Sequence, residues 1–140
     1  MRIFQTAALI FGCLLAAPSF AQDEDSIFRD YKHLRSVLDK NMMQRNMVDV
    51  MRAFGASDEM TPEQLTALEK RVRGIFSRDF TNVDVLRSDN MGNGWKQELY
   101  AYWNGASYIY AYVLMHDQGD RVNAIHFKFN TAFAALNENF

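Results

Sequence analysis

The stretch from Trp95 to Phe129 constrains the fold most, because apolar and aromatic residues recur there at every second position. A period of two is typical of β-strands, whose successive side chains point to opposite faces. Asn104-Gly105 and Gln118-Gly119 interrupt the pattern with residue types that favour tight hairpin turns. The stretch therefore predicts three consecutive antiparallel strands joined by two hairpins.

The lengths of the two turns predict which side chains share a face of this sheet. A two-residue loop at Asn104-Gly105 pairs Ala101 with Tyr108, and a two- or four-residue loop around Gln118-Gly119 pairs Tyr110 with Phe127. The first face then carries Leu99, Ala101, Trp103, Tyr108, Tyr110, Tyr112, Leu114, Ile125, Phe127 and Phe129. The second face carries Lys96, Glu98, Tyr100, Tyr102, Ser107, Ile109, Ala111, Val113, Met115, Val122, Ala124, His126 and Lys128. A three-residue loop with a bulge would move the register by one residue and mix the two sets, so we favour the even register, which sorts the residues better.

Residues 1–21 have the pattern of a secretory signal peptide. Arg2 is the only early charge, the apolar run Ile3–Ala17 is too short for a membrane span, and Ser19-Phe20-Ala21 matches a small-x-small cleavage site. We predict cleavage after Ala21 and a periplasmic or secreted protein, and the look of the signal favours a Gram-negative bacterium. The alternative is a lipoprotein signal at Cys13, which Phe11 and the apolar residues after Cys13 disfavour.

Cys13 is the only cysteine, so the predicted mature chain, residues 22–140, has none. It can form no disulfide, thiol nucleophile or cysteine metal site, and its core alone must hold it folded in an oxidising compartment. A domain of this length buries roughly two-thirds of its unfolded surface, which is enough for a core. No repeat or linker divides residues 22–140, so we predict a single domain.

Two helices are predicted before the sheet by apolar residues at helical spacing. The first begins at Ser26 as N-cap and carries Ile27, Tyr31, Leu34 and Leu38; the second carries Met43, Met47, Val50, Met51 and Phe54. Gly55 is expected to end the second helix. The pattern leaves open whether the chain breaks or continues at Lys40-Asn41.

A third helix has the clearest start, because Thr61-Pro62-Glu63-Gln64 combines an N-cap, a first-turn proline and a capping box. Alternation over Phe80–Leu86 predicts a first, shorter strand, and the residues from Ser88 to Gly94 read as a loop. The tail from Thr131 to Phe140 carries Phe133 and Leu136, which could pack against the core.

The predicted architecture is α+β, with N-terminal helices packed on one face of a curved antiparallel sheet of about four strands. The first sheet face, which holds Trp103, Tyr110 and Phe127, needs an apolar cover, so we expect the helices to dock there. The order of the elements, with the glycine-bounded second helix, the Thr61-Pro62 helix start and the Trp95–Phe129 meander, resembles the small secreted NTF2-like or cystatin-like domains. That group includes enzymes with an Asp or His in a cavity and many non-enzymatic binding modules, so the resemblance implies a fold rather than a function.

Metal and cofactor chemistry finds no support in the sequence. His33, His116 and His126 have no companions at metal-ligand spacing, and Asp89–Gly94 lacks the oxygen ligands of a calcium loop at Met91 and at its end. We predict no catalytic residue, metal or cofactor. His126 with Glu98 and Lys96 on the second face is the best acid–base candidate, but a solvated cross-strand charge set explains it equally well.

The tyrosines offer the best candidate binding surface. If no helix covers the second face, its apolar middle forms an exposed patch that would bind a partner, a second copy or a small apolar ligand. The predicted patch consists of Tyr100, Tyr102, Ile109, Val113, Met115 and His126. The methionines Met42, Met43, Met47 and Met51 would give the second helix an adaptable surface, but filling of the core explains them better.

These observations favour an exported, non-enzymatic binding or protein-interaction module that forms a homodimer or meets a partner through the second face. The alternative is a small NTF2-like enzyme with an acid–base residue in a helix–sheet cavity. Lys and Arg number 15 against 17 Asp and Glu, for a net charge of −2, which disfavours binding to nucleic acid. No second membrane segment is expected after the signal.

Overall fold

The computed structural model describes residues 26–55 and 59–140. The predicted signal peptide, its cleavage site and Cys13 lie outside these ranges. The helices in these ranges are Tyr31–Met43 (α1), Met47–Ala53 (α2), Pro62–Ile75 (α3) and Phe133–Asn137 (α4). The strands are Ile27–Phe28 (β1), Asn82–Gly92 (β2), Trp95–Asn104 (β3), Ser107–Asp117 (β4) and Val122–Asn130 (β5).

The first helix starts later than predicted. Asp30, not Ser26, is its N-cap, and its Oδ1 accepts a hydrogen bond from the His33 N–H at 2.7 Å. Ser26 has a φ of 71°, and the two residues after it pair with β5 as β1. Ser26 could act as an N-cap only if the residues after it were helical. Those residues pair with β5 instead, so the contact with the sheet overrides the local helix signal.

The other helix boundaries follow the sequence closely. α1 continues through Lys40-Asn41, and the chain turns at Arg45, whose φ is 58°. Gly55, with a φ of 93°, follows the C-cap of α2 as predicted. The capping box of α3 is confirmed, because the Thr61 hydroxyl accepts from the Gln64 N–H at 3.1 Å and the Gln64 side chain accepts from the Thr61 N–H at 2.8 Å.

The strands form an open antiparallel sheet in the order β1-β5-β4-β3-β2. Five strands are present rather than about four, because β1 pairs at one edge. β2 reaches Gly92, so most of the predicted loop at Ser88–Gly94 is strand, with Asp89 opposite Gln97. Ladder hydrogen bonds to β3 hold this polar segment extended although its own sequence favours a turn.

The hairpin between β3 and β4 keeps the predicted faces with a shifted register. Asn104 and Ser107 close a loop of Gly105 and Ala106, so Ala101 lies opposite Tyr110 rather than Tyr108. A shift of two residues preserves the alternation. Both strands therefore present the predicted sets of side chains to their two sides.

The register of β5 is where the predicted faces fail. Asp117 pairs with Val122 across a four-residue loop, but a bulge at Ile125 lets Leu114 pair with His126 while Met115 pairs with Ala124. One extra residue reverses every side chain beyond it. Phe127 and Phe129 consequently join the second face, and His126 and Lys128 join the first.

The helices cover the second face, so the prediction that they dock on the first face is wrong. Apolar residues of α1, α2 and α3 pack with the second face in one core, whose sheet members are Tyr100, Tyr102, Ile109, Ala111, Val113, Met115, Val122 and Ala124. Phe127 and Phe129 pack against the same core, which shows how the bulge increases the apolar surface offered to the helices. We call the helix-covered side the inner face and the other side the outer face.

The outer face is only partly covered, by the C-terminal tail. Leu136 of α4 is buried against Leu99 and Tyr112, as its apolar position predicted. Phe133 is 39% exposed and makes an edge contact with Tyr110, with ring centroids 5.8 Å apart. The tail therefore shields one part of the face and leaves the rest open.

The turn between β2 and β3 generates a prediction about stability. Gly92 and Gly94 both have left-handed backbone, with φ of 89° and 85°, but only at Gly94 would a Cβ collide with another atom, the carbonyl oxygen of Asp117. Gly92→Ala should cost about 1–2 kcal/mol of unfolding free energy, the penalty of the left-handed conformation alone. Gly94→Ala should cost clearly more in urea denaturation, and equal losses would contradict the close approach of the turn to β4.

Candidate functional site

A row of polar side chains joins α1 to β3 inside the inner face. Side chains four residues apart on α1 are about 6 Å apart along the helix, and side chains two residues apart on β3 are about 6.8 Å apart along the strand. Because these spacings are nearly equal, each polar residue of α1 can face one of β3. The six members, which we call the polar ladder, are Tyr31, Arg35 and Asp39 of α1 and Glu98, Tyr100 and Tyr102 of β3. The matched spacing lets each polar group meet a partner along the whole contact.

The centre of one end of the ladder is the carboxylate of Glu98, which is only 2% exposed. It accepts hydrogen bonds from the hydroxyls of Tyr31 at 2.6 Å and Tyr100 at 2.9 Å through the same oxygen, Oε1. The Lys96 ammonium lies 3.6 Å from Oε2. A buried carboxylate is tolerated only when such partners replace its hydration, so these contacts explain its position.

Arg35 links the two ends of the ladder. Its guanidinium donates to the Tyr31 hydroxyl at 3.1 Å and to Asp39 Oδ2 at 3.0 Å, and it lies 4.6 Å from the centre of the Tyr100 ring. The Tyr102 hydroxyl donates to Asp39 Oδ1 at 2.7 Å. Two acidic and two basic groups, counting Lys96, therefore balance one another across the helix–strand contact.

The ladder keeps its tyrosines protonated. Burial, followed by the charge and hydrogen bond of Glu98, raises the pKa of Tyr100 far above its usual value, and burial with Asp39 does the same to the pKa of Tyr102. Burial opposes the charge of Arg35, but its hydrogen bonds to Tyr31 and Asp39 leave its pKa raised. The phenols are therefore fixed as donors and the carboxylates as acceptors.

A cleft of about 490 Å³ opens at the end of the ladder that Glu98 occupies. It lies between the start of α1, the β2–β3 turn and the far ends of β4 and β5. Its lining residues are Tyr31, Asn90, Gly92, Asn93, Gly94, Trp95, Lys96, Met115, Asp117 and Val122. Its volume falls in the range of small-molecule sites.

The rim of the cleft is anchored to the sheet. Three successive residues of the turn, Gly92, Asn93 and Gly94, have positive φ. The Gly94 carbonyl accepts a hydrogen bond from the Asp117 N–H at 2.8 Å, and the Trp95 ring stacks on His116 with centroids 4.2 Å apart. These contacts tie the turn to β4, so the cleft is formed before any ligand binds.

Lys96 is the charged side chain best placed to act in the cleft. Its Nζ lies 4.4 Å from the centre of the Tyr31 ring, and the 3.6 Å separation from Glu98 is too long for a hydrogen bond. Among the described residues none accepts a hydrogen bond from this ammonium. The floor beneath it is apolar, because Met115 and Val122 are almost fully buried.

The six residues of the predicted binding patch are not together on a surface. Tyr100, Tyr102, Ile109, Val113 and Met115 are at most 2% exposed, since the helices cover them. His126 is exposed on the outer face, where its ring lies 6.4 Å from that of Tyr112. The expected grouping of His126 with Glu98 and Lys96 is also absent, because the bulge at Ile125 turns the histidine away.

The predicted explanation of the methionines as core filler fits Met42, Met43 and Met47, although Met42 and Met43 lie on α1 rather than on the second helix and Met51 is not part of the core cluster. Met42 and Met47 are buried in the core, and Met43 packs against it partly exposed. Within the described ranges no three His, Cys, Asp or Glu residues gather as metal ligands would.

The outer face carries a second group of aromatic residues. Trp103, Tyr108 and Tyr110 stand side by side, with ring centroids 6.0 and 6.4 Å apart and nearly parallel planes. Tyr108 is 44% exposed. This row is a partly exposed aromatic surface, whereas the cleft is concave and lined by the charged Lys96, so the cleft is the better candidate site.

Sequence reasoning missed Arg35 and Asp39, and it placed Lys96 in a different setting. Tyr31, Arg35 and Asp39 recur every four residues, which is the one signal that could have marked a polar stripe on α1. Apolar residues on neighbouring positions of the same helix concealed it. Asn90 and the glycine turn line the cleft because β2 extends to Gly92. The sequence predicted a loop in this segment and so did not place these residues at a site.

Comparison with family models, curated proteins and solved structures finds no match to this chain. In the part of the chain that the structure describes, no helix combines the length and apolar character needed to cross a membrane.

The raised tyrosine pKa values predict a loss of stability at alkaline pH. Since folding raises the pKa of Tyr100 above the unfolded value near 10, the stabilisation is complete below about pH 10 and is lost as the pH rises further. Each tyrosine held neutral should steepen the fall by up to about 1.4 kcal/mol per pH unit. Urea denaturation between about pH 8 and pH 12 should give a shallower fall for Tyr100→Phe, and identical slopes would refute the assignment.

Proposed function

We propose that this protein is an exported, non-enzymatic binding module that holds a small organic anion with an apolar body in the α1–sheet cleft. The observation that carries the proposal is the Lys96 ammonium at a cleft with an apolar floor, without a hydrogen-bond acceptor among the described residues. An ammonium that keeps its donors can bind a carboxylate, sulfonate or phosphate oxygen by charge-assisted hydrogen bonds.

The rest of the cleft supports an amphipathic ligand rather than a bare ion. Met115 and Val122 supply an apolar floor, and the Tyr31 ring lies beside the Lys96 ammonium, with 4.4 Å between Nζ and the ring centre. Asn90 and the turn that follows it place polar groups at the rim. Small-molecule sites combine a mainly apolar lining with a few placed polar groups in this way.

A binding role is better supported than an enzymatic one. Glu98 accepts two phenol hydroxyls through Oε1, its Oε2 lies 3.6 Å from the Lys96 ammonium, and Glu98 is not among the residues that line the cleft. His126, the acid–base candidate of the alternative enzyme, lies on the outer face away from the cleft. General acid–base catalysis requires the group to reach the proton that it moves.

The proposal includes an NTF2-like or cystatin-like fold. The packing of α1, α2 and α3 on one face of an antiparallel sheet supports it, as does a cleft between helix and sheet. Such folds host many functions, so this resemblance adds nothing to the choice of ligand.

Export is proposed from the signal-like pattern of residues 1–21. Expression of the full chain in a Gram-negative host should yield periplasmic protein that begins at Gln22, measured by N-terminal sequencing and intact mass. Ala21→Leu, which removes the small residue at the cleavage site, should slow processing. Intact protein beginning at Met1 in the cytoplasm would contradict the proposal, and lipid-modified Cys13 would establish the lipoprotein alternative.

The ligand site is tested with anilinonaphthalene sulfonate, a fluorescent anion with an apolar body. It should bind the folded protein, and Lys96→Met should weaken binding about tenfold, since the methionine keeps the packing of the stem and removes the charge. The matched control is Lys40→Met, an exposed position in the last turn of α1. Fluorescence titration that gave equal affinities for both variants would refute the role of Lys96.

A further inference from the structure

β2 is a long edge strand that is paired on one side only. It has 11 residues and forms one border of the sheet, whereas the strand at the other border, β1, has two. Almost the whole of β2 is exposed, including Val85 at 40% and Leu86 at 43%. An exposed edge of this length offers unpaired backbone groups to another strand, which most proteins prevent.

The charges of β2 are arranged so that the strand complements itself. Asp84 lies opposite Ala101 and Arg87 opposite Leu99, so the bulge at Leu86 places both charges on the outer face. Without the bulge, residues three apart would point to opposite faces. Among the described residues, Asp84 has no ion-pair or hydrogen-bond partner for its carboxylate.

We propose that two copies of this chain pair antiparallel through β2, with a two-fold axis between Val85 and Leu86. In this register Asp84 of each copy faces Arg87 of the other, and Val85 faces Leu86. Each contact occurs twice, and the two sheets become one continuous sheet. Main-chain hydrogen bonds provide the affinity in such an edge pairing and the side-chain pairs fix its register.

Other registers fit less well. An axis at Asp84, Arg87 or Asp89 would place two like charges face to face, which destabilises a cross-strand pair. An axis at Ser88 would pair Arg87 with Asp89, but that carboxylate already accepts a hydrogen bond from Gln97 at 3.1 Å. The proposed register instead uses the unpaired carboxylate of Asp84.

Arg87 can take part without leaving its own chain. It donates one hydrogen bond to Asn137 at 2.7 Å, and its guanidinium lies 4.3 Å from the centre of the Phe140 ring. A guanidinium has five N–H donors, so further donors remain for a carboxylate across the axis. The C-terminal tail thereby holds the side chain on the face where the second copy would meet it.

The contact is isologous and uses up the long edge of each copy, so it closes at two subunits. Sedimentation velocity of the purified protein should show a dimer at micromolar concentration and no larger species. Hydrogen exchange should show protection of the β2 amides that point away from β3, increasing with protein concentration.

Charge reversal tests the register. Asp84→Arg or Arg87→Asp alone should weaken the dimer at least about tenfold, since each creates two like-charge pairs, and the double variant should restore it. Denaturation of each variant shows whether it remains folded, because Arg87→Asp also removes the contacts to the tail. A double variant that stays monomeric while folded would overturn the register.

A second pair of variants does not disturb the tail. Val85→Lys places a charge beside the axis and should yield a folded monomer, whereas Met91→Lys, a 53% exposed position outside the paired segment, should remain a dimer. Dissociation by both substitutions would favour the Ser88 axis and overturn the proposed one. A wild-type chain that is monomeric at all concentrations would overturn the pairing altogether.

Discussion

The buried carboxylate of Glu98 is the interaction on which the arrangement of helix and sheet depends. A charge that is almost completely removed from water needs hydrogen-bond donors and an opposite charge nearby. Here Tyr31 and Tyr100 donate to Glu98, and the Lys96 ammonium lies 3.6 Å away. Tyr31 comes from α1, so satisfying the carboxylate fixes the helix over β3. The other hydrogen bonds of the polar ladder, made by Arg35 and Asp39, attach α1 to β3 further along the helix and set the direction of the helix on the sheet.

The polar ladder also explains which face the helices cover. The predicted first face has more large apolar residues on β3 and β4, but neither strand places a carboxylate there to accept from Tyr31 and Arg35. The inner face provides Glu98 and the tyrosine hydroxyls between apolar neighbours, so α1 buries its apolar and polar stripes together. The bulge at Ile125 then moves Phe127 and Phe129 to the inner face, where they complete the apolar core around the polar ladder.

Two surfaces remain once that choice is made, and both follow from where the helices stop. α1 begins at Tyr31 and does not cover the β2–β3 turn. The cleft therefore stays open at the end of the polar ladder, next to Lys96. Of β2, only Val83 packs against the core under the helices, and almost all the rest of the strand is exposed, including its free edge. The proposed ligand site and the proposed pairing edge are therefore separate features of one packing arrangement.

Prediction from sequence succeeded where a signal is local. The capping box at Thr61, the stop at Gly55 and the alternation of β3 and β4 depend on neighbouring residues, and the structure confirms them. It failed at Ile125 and at the second half of β2. A bulge adds one residue without a distinctive sequence, and one residue is enough to exchange the faces of a strand. The binding patch failed with it, since its exposure depended on which face the helices leave open.

The sequence by itself determined the α+β composition, the order of elements from α1 to β5, and the two sets of side chains on β3 and β4, but not the strand β1 that precedes α1. Those properties follow from periodicity, caps and turn residues, which act over a few positions. Only the tertiary structure decided which set lies under the helices, where the charged groups of α1 find partners, and where the cleft opens. The physical reason is that the cost of burying Glu98 depends on the Tyr31 hydroxyl, which is 67 residues away along the chain, and no local pattern can encode that contact.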